Sequence, residues 1–197
     1  MRYPPDQKAR ARDALVRAGT RSLKTSGFNG IGVDGLAAAA GVTSGAFYSN
    51  FPNKTAILEA VVEAGLGEPF VTETGAMTHE EARAHMIAFL HEYLDTAHSH
   101  DVAGGCVMPA LSADVSRAEP PVKQAYQRKM LALVDRITEL LDGAEPDRRR
   151  RAWSIVALMV GSVLISRGMP EHSETRSAAL ESALGTACAL MDAGSAD

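Results

Sequence analysis

The chain has 197 residues, of which 46% are hydrophobic and 22% are charged, so a packed core is expected and wholesale disorder is not. Aromatic residues make up only 5%, which favours helices that pack closely through small side chains. The net charge of −4 hides an asymmetry. Residues 1–58 hold eight basic and three acidic residues, whereas residues 59–197 hold 12 basic and 21 acidic ones. A basic segment on an acidic body is typical of a protein that meets a polyanion at one end.

The sequence argues against a secreted, a membrane-spanning and a disulfide-rich or metal-binding protein. Residues 1–12 lack the apolar stretch and cleavage site of a signal peptide. The longest apolar stretch, residues 152–165, is too short to span a membrane. Cys106 and Cys188 are too few for a disulfide framework or a metal quartet, and Cys106 has no neighbouring histidine to activate its thiol. We therefore expect a cytoplasmic protein without membrane contact.

The hydrophobic pattern follows the helical period almost throughout, and no run of residues alternates as a strand would. Gly27 is predicted to end the first helix, and residues 78–81 form a capping box that opens a long one. The predicted fold is all-α, with about nine helices over residues 6–26, 33–40, 44–51, 54–65, 79–98, 106–115, 120–143, 146–167 and 173–191.

The stretch from residue 32 to residue 58 carries the most information about function. Ala37, Gly41 and Phe47 have the spacing of a helix-turn-helix. Alanine lets two helices cross closely, glycine allows the sharp turn, and the aromatic ring anchors the second helix. That second helix lies in the DNA major groove and presents its N-terminal side chains to the bases. The candidate contact residues on this helix are small or polar: Thr43, Ser44, Gly45, Tyr48, Ser49 and Asn50, whose amide could pair with adenine.

Residues 40–54, A-G-V-T-S-G-A-F-Y-S-N-F-P-N-K, resemble the signature of the tetracycline-repressor (TetR) family. Gly27-Phe28 match the glycine and aromatic residue that end the first helix in that family, so the resemblance covers roughly residues 8–58. A departure is Gly32, where the family usually has a Ser or Thr as helix cap.

The resemblance implies roles for individual residues of this segment. The residues that contact DNA phosphates would be Thr43, Tyr48 and Lys54. Those nearest the bases would be Ser44, Gly45 and Asn50.

The resemblance also implies a domain organisation and a function. Residues 1–53 are predicted to form a helix-turn-helix DNA-binding domain, and residues 54–197 a helical ligand-binding and dimerisation domain. The predicted protein is a homodimeric repressor that binds a palindromic double-stranded DNA operator. A small, largely apolar effector is predicted to release it.

The larger predicted domain contains a helix, residues 147–167, that is apolar over nearly its whole circumference. One of its faces must therefore be buried against something other than its own core. The last helix offers small residues, and two such helices from each of two chains would make a four-helix interface. At least half of the candidates for a ligand pocket are expected to be simple core residues. These candidates are Met86, Phe89, Leu90, Tyr93, Met108, Tyr126, Met130 and Trp153.

Other patterns receive a structural interpretation. Residues 30–35 read GxGxxG but lack a preceding strand, so they do not predict a dinucleotide site. His91, Asp95 and His98 share one predicted helix face, where solvated histidines are commoner than a metal site. Four consecutive arginines, residues 148–151, are interpreted as solvated or acid-paired.

No defensible nucleophile–base arrangement is present, so neither an enzyme nor a cofactor or metal site is predicted. The alternative that stays open is a small-molecule-binding helical dimer without DNA-binding activity.

Overall fold

The computed structural model of the chain describes residues 5–171 and 173–194, so residues 1–4 and 195–197, at the outer ends of the predicted domains, and residue 172 lie outside the described residues. The described part contains helices and no β-strand, which confirms the predicted all-α fold. The helices are α1 (Pro5–Gly30), α2 (Val33–Ala39), α3 (Ser44–Asn50), α4 (Lys54–Gly65), α5 (Glu68–Gly75), α6 (His79–Tyr93), α7 (Thr96–His100), α8 (Val107–Ser116), α9 (Pro120–Glu139), α10 (Glu145–Arg167) and α11 (Glu174–Asp192). None of these described helices is long and apolar enough to cross a membrane.

Two of the observed helices, α5 and α7, are missing from the predicted set. α5 is only eight residues long and begins after Gly67, which has a φ of 67°. α7 results from a break in the predicted helix over residues 79–98. Asp95 leaves that helix, and its side chain accepts a hydrogen bond from Ala97 N at 2.7 Å. A side chain that competes for backbone N–H groups in this way ends one helix and caps the next.

The helices divide into two compact units. The first contains Met1–Leu66 and Val102–Lys129, and the second contains Gly67–Asp101 and Met130–Asp197. The predicted division at residues 53 and 54 concerns DNA-binding and ligand-binding roles, and it stays a prediction.

In the first unit, α1 is joined to α8 by hydrogen bonds at both ends of α8. α1 is kinked at Gly27, where φ is 71°, so the residue predicted to end the first helix interrupts it, and a further helical turn follows to Gly30. Before the kink, Lys24 Nζ donates to Gly105 O at 2.6 Å. After it, Phe28 N donates to Asp114 Oδ2 at 3.0 Å. The helices of the DNA-binding segment therefore share one compact unit with α8.

In the second unit, the side chain of Arg151 ties three segments together. It is only 1% exposed, and its Nε donates to Asp147 Oδ2 at 2.7 Å within α10. Its Nη groups donate to the backbone carbonyls of Leu190 and Ala193 at the end of α11, and of Asp142 before α10. Because a buried guanidinium is costly without such partners, these bonds fix the start of α10 against the end of α11.

The interpretation of residues 148–151 as solvated or acid-paired is confirmed for three of the four arginines. Arg149 pairs with Asp135 and Arg150 with Asp147, both near the surface. Hydrogen bonds from Arg150, and then from Arg151, lower the pKa of the Asp147 carboxyl. Arg151 is acid-paired as well, with Asp147, but it is not solvated: its side chain is buried because the end of α11 supplies backbone acceptors that are far away in the sequence.

We expect Arg151→Met to lower the free energy of unfolding by about 2–4 kcal/mol, because it leaves buried carbonyl groups without a donor. Arg150→Met removes the neighbouring arginine, which shares Asp147 but is exposed, and should change stability by less than about 0.5 kcal/mol. Urea unfolding of both variants measures the difference. Equal losses would show that the buried network contributes no more than a surface ion pair.

Candidate nucleic-acid interface

The turn between α2 and α3 has the geometry that its spacing predicts. Ala37 and Phe47 are buried in the core of the first unit. Gly41 has a φ of 68°, a left-handed conformation that suits glycine, and Val42 N closes the turn by donating to Ala37 O at 3.0 Å. The helix-turn-helix is thus present, with α3 as its second helix.

The first turn of α3 is organised by two side-chain hydrogen bonds. Thr43 is the N-cap, and its Oγ1 accepts from Ala46 N at 3.2 Å. Ser44 Oγ donates to Asp34 Oδ1 in α2 at 2.6 Å. Because the Ser44 proton is committed to Asp34, the free lone pairs of its oxygen act as hydrogen-bond acceptors on the surface.

The middle of α3 is exposed at Gly45, Tyr48 and Ser49. Tyr48 is 58% exposed, and its ring stands edge-on to Phe47 with 5.5 Å between the centroids. Gly45 is exposed, and a Cβ added there would have only Thr43 Oγ1 nearby, at 3.8 Å. Ser49 Oγ donates to Gly45 O at 2.8 Å, so this hydroxyl supports the helix backbone. The surface can therefore approach another molecule closely.

Asn50 is bonded to its own helix rather than turned outward. Its Nδ2 donates to Ala46 O at 2.8 Å, and its Oδ1 is buried without a hydrogen-bond partner among the described residues. The backbone carbonyl of Asn50 accepts from Arg12 Nη1 at 3.0 Å, and the same guanidinium lies 4.3 Å from the Phe51 ring centroid. In this arrangement Asn50 and Arg12 fix the end of α3.

Lys54 begins α4, where Asn53 caps the helix by accepting a hydrogen bond from Ala56 N at 2.9 Å. Lys54 Nζ lies 4.3 Å from the centroid of the Phe28 ring, a cation–π distance. Phe28 thus holds the Lys54 ammonium near the end of α1. Gly32 caps α2 without a side-chain hydrogen bond, consistent with its departure from the family pattern.

Sequence reasoning missed three residues of this region. Asn53 lies directly before an alanine-containing helical run and could have been recognised as an N-cap. The Asp34–Ser44 bond joins two helices, and the Arg12–Asn50 bond spans 38 residues, so neither follows from local spacing.

The residues proposed from sequence for a ligand pocket are divided between the two units. Met108 and Tyr126 belong to the first, where the Ser112 and Tyr126 hydroxyls are 2.9 Å apart. The other six belong to the second unit. Of these, Met86, Leu90, Tyr93 and Met130 are buried, and Phe89 packs on Tyr93 with 5.6 Å between ring centroids. Trp153 differs, because it is 42% exposed on the outer face of α10.

The residues of the possible metal face do not converge in the structure. His91 is exposed on α6, and Asp95 is the N-cap of α7. His98 is half-buried, with its Nδ1 2.6 Å from Tyr93 O. Burial is the main cause that lowers the pKa of His98. Residues 30–35 join the end of α1 to α2, with no preceding strand in the described chain.

Comparison with known proteins adds independent evidence. Residues 15–61 match the model of the bacterial regulatory proteins of the tetR family. The chain carries the DNA-binding domain of the TetR family. The matched residues include α2, α3 and the beginning of α4, so they contain every predicted DNA-contact residue. The protein is therefore a DNA-binding transcriptional regulator.

Several solved structures match nearly the whole chain. NemR from Escherichia coli in its reduced form is 22% identical, with 95% of this chain and 99% of that chain covered and a TM-score of 0.75. A TetR-family regulator from Cytophaga hutchinsonii is 17% identical over 100% of both chains, with a TM-score of 0.74. FadR from Bacillus subtilis, in complex with stearoyl-CoA, is 17% identical over 91% and 97%, with a TM-score of 0.64. At these identities the matches show the fold alone. No curated protein sequence matches the chain.

In this TetR-family domain we expect Gly41→Ala to lower the free energy of unfolding by about 1–2 kcal/mol, because alanine pays a steric cost at positive φ. A Cβ at Gly41 would meet nothing within 4 Å, so backbone strain is the only penalty. Gly45→Ala is the matched control. It also adds a methyl group without a clash, but in a helical conformation, where alanine is favoured by up to about 1 kcal/mol. Chemical denaturation should separate the two variants, and equal stability would contradict the strain argument.

Proposed function

We propose that this TetR-family regulator is a repressor that binds a palindromic operator as a homodimer and is released by a small molecule. The observation that carries the proposal is the surface of α3. Its first turn is capped, and Gly45 and Tyr48 are exposed on it. An exposed tyrosine beside small side chains suits the sugar-phosphate edge and floor of a major groove.

The proposed contacts fall into two groups. Thr43, Tyr48 and Lys54 bind phosphates, and they set the position of α3 without reading sequence. Ser44 and Gly45 lie closest to the bases. Since the Ser44 hydroxyl donates to Asp34, Ser44 is suited to accept a hydrogen bond from the exocyclic amine of adenine or cytosine.

Two further predicted contact residues have supporting roles in the proposal. Ser49 and Asn50 both bond to backbone carbonyls of α3. Asn50 would reach adenine only after giving up its bond to Ala46 O. We therefore propose that Asn50 keeps α3 rigid and that any base contact by it is secondary.

We expect Lys54→Ala to weaken binding to operator and to unrelated DNA by similar factors, because a phosphate contact carries no base information. The slope of log affinity against log salt should flatten by about one unit. The measurement is a shift or anisotropy titration with the DNA that flanks the gene of this protein. Lys123→Ala, at an exposed lysine of α9, is the control and should keep the wild-type slope. An unchanged slope in Lys54→Ala would contradict the phosphate contact, and no shift by the wild type would contradict the repressor.

The proposed dimer interface consists of one face of α10 and one face of α11. On α10, Trp153 and Leu164 are exposed, and their spacing of eleven residues puts them on the same side of the helix. On α11, the residues exposed at helical spacing are small or polar, namely Ala178, Ser182, Gly185 and Ala189. Large apolar side chains on one helix and small ones on the next allow two copies to pack as a four-helix bundle.

We expect Leu164→Glu to convert the dimer to monomers at micromolar concentration, because it buries unpaired charges at the twofold interface. Ala132→Glu is the control, since it introduces the same charged side chain at an exposed apolar position of α9, outside the proposed interface. It should leave the mass unchanged. Light scattering coupled to size-exclusion chromatography measures both. A monomeric wild type, or a Leu164→Glu variant that stays dimeric, would contradict the proposed interface.

The proposed effector is small and largely apolar, and it binds among the buried residues of the ligand set. Met86, Leu90, Tyr93 and Met130 are candidates because they are buried side chains of the second unit. Trp153 shares the exposed face of Leu164, so we assign it to the dimer interface instead. The complex of the B. subtilis transcriptional regulator FadR with stearoyl-CoA is one precedent, in a similar fold, for a bound acyl compound.

Identification of the effector tests the last part of the proposal. Mass spectrometry of molecules that are released from the purified protein names the compound, and the DNA titration is then repeated with it. A true effector should weaken DNA binding by roughly 5–150-fold, the usual range of allosteric coupling. A compound that binds without changing DNA affinity would favour a ligand-binding protein over a ligand-responsive repressor.

A further inference from the structure

A buried polar cluster lies where α7, α10 and α11 meet in the second unit. It consists of Ser99, Ser166 and Arg176, of which the two serines are fully buried and Arg176 is 6% exposed. The Ser99 and Ser166 hydroxyl oxygens are 2.9 Å apart, and Arg176 Nε lies 3.3 Å from Ser166 Oγ. Arg167 borders the cluster, with its Nε donating to Ser99 O at 2.9 Å.

The cluster has more hydrogen-bond donors than acceptors. A guanidinium carries five N–H donors and no acceptor, and in the described structure the Arg176 side chain has one acceptor, Ser166 Oγ. The two serine hydroxyls can satisfy only one of their protons through the bond between them. The arrangement therefore leaves N–H and O–H donors to which a further group, either water or an anion, can bind.

The positive charge of Arg176 is also uncompensated within the described chain. Arginine does not lose its proton, so a buried guanidinium needs an anion. Arg151, which is likewise buried, pairs with Asp147. No carboxylate of the described residues pairs with Arg176. The nearby carboxylates Glu92 and Asp101 act on His98 instead, where they raise its pKa against the effects of burial and Arg167.

A second copy of the chain is not the source of the missing anion. Arg176 lies on the core side of α11, in line with Leu180 and Ala183, whereas the exposed face of α11 carries Ala178 and Gly185 on the other side. A carboxylate that arrives across the exposed face would therefore meet the wrong side of the helix. The exposed 6% of Arg176 leaves access for a small ion from solvent.

We propose that Arg176, Ser166 and Ser99 form a binding site for an oxyanion, the carboxylate or phosphate of a small molecule. Arg176 supplies charge and paired N–H donors, a geometry that matches the two oxygens of such a group. The serine pair supplies the additional O–H donor. The site is independent of the proposed DNA contacts and of the proposed dimer face.

Thermal unfolding of the full chain at constant ionic strength tests the site, with inorganic phosphate and propionate as separate probes and chloride as the balancing anion. A ligand that binds only the folded state raises the unfolding temperature in a saturable way. We expect such a rise in the wild type with at least one probe. Which probe acts distinguishes a phosphate from a carboxylate ligand. Arg176→Met should weaken the affinity for that anion, obtained from the saturation of the temperature rise, by about tenfold or more, as expected for loss of a charged hydrogen-bond donor.

Arg83→Met is the matched control, because Arg83 is a half-buried arginine of the same unit that already pairs with Asp192. It should keep the wild-type response to the anion. General salt effects act on all variants alike, so an equal response in wild type and Arg176→Met would overturn the site. If Arg176→Met does not fold, titration calorimetry of the wild type and of Ser166→Ala replaces it. Absence of binding to the wild type, or unchanged affinity in Ser166→Ala, would likewise overturn it.

Discussion

The burial of one guanidinium, that of Arg151, sets the rotation of α10 about its own axis. Its hydrogen bonds to the end of α11 require this side of α10 to face the interior. Helical geometry then turns Trp153 and Leu164 to the opposite side. A helix that is apolar nearly all round gains a similar hydrophobic free energy in many orientations, so apolar burial alone selects none of them. The buried Arg151 guanidinium therefore determines which apolar residues of α10 remain exposed to a partner chain.

In the DNA-binding surface, polar side chains hold α3 rigid through hydrogen bonds within the protein. Most polar side chains of α3 and its flanks are already bonded within the protein: Thr43 caps the helix, Ser44 bonds to Asp34, and Asn50 bonds to Ala46. These bonds lower the freedom that α3 would lose on binding, and less lost freedom means a smaller entropic cost of association. Tyr48 keeps its exposure, so the rigid helix presents one large side chain that is free to contact DNA.

The sequence was sufficient for the helix-turn-helix, because glycine, a buried aromatic residue and a cap at fixed spacing are local signals. It was not sufficient where distant segments compete. The break before α7 depends on the Asp95 side chain, which accepts a hydrogen bond from a backbone N–H and so ends the preceding helix. The side of α10 that carries Trp153 could not be read from a nearly uniform apolar pattern. Arg176 gave no signal at all in a helix of small residues, since its burial depends on Ser166 in the preceding helix and on Ser99, which is far away in the sequence.

The position of α8 explains how the DNA-binding helices can respond to events outside them. Lys24 and Asp114 hold α8 to α1 by hydrogen bonds. On another side, α8 meets α4 without spare room, because a Cβ at Gly65 would lie 2.6 Å from Val107 Cγ2. Close-packed interfaces transmit displacement instead of absorbing it, so we expect a shift of α8 to displace α1. Since α1 packs against α3, a molecule that favours one position of α8 would change the presentation of α3 without touching it.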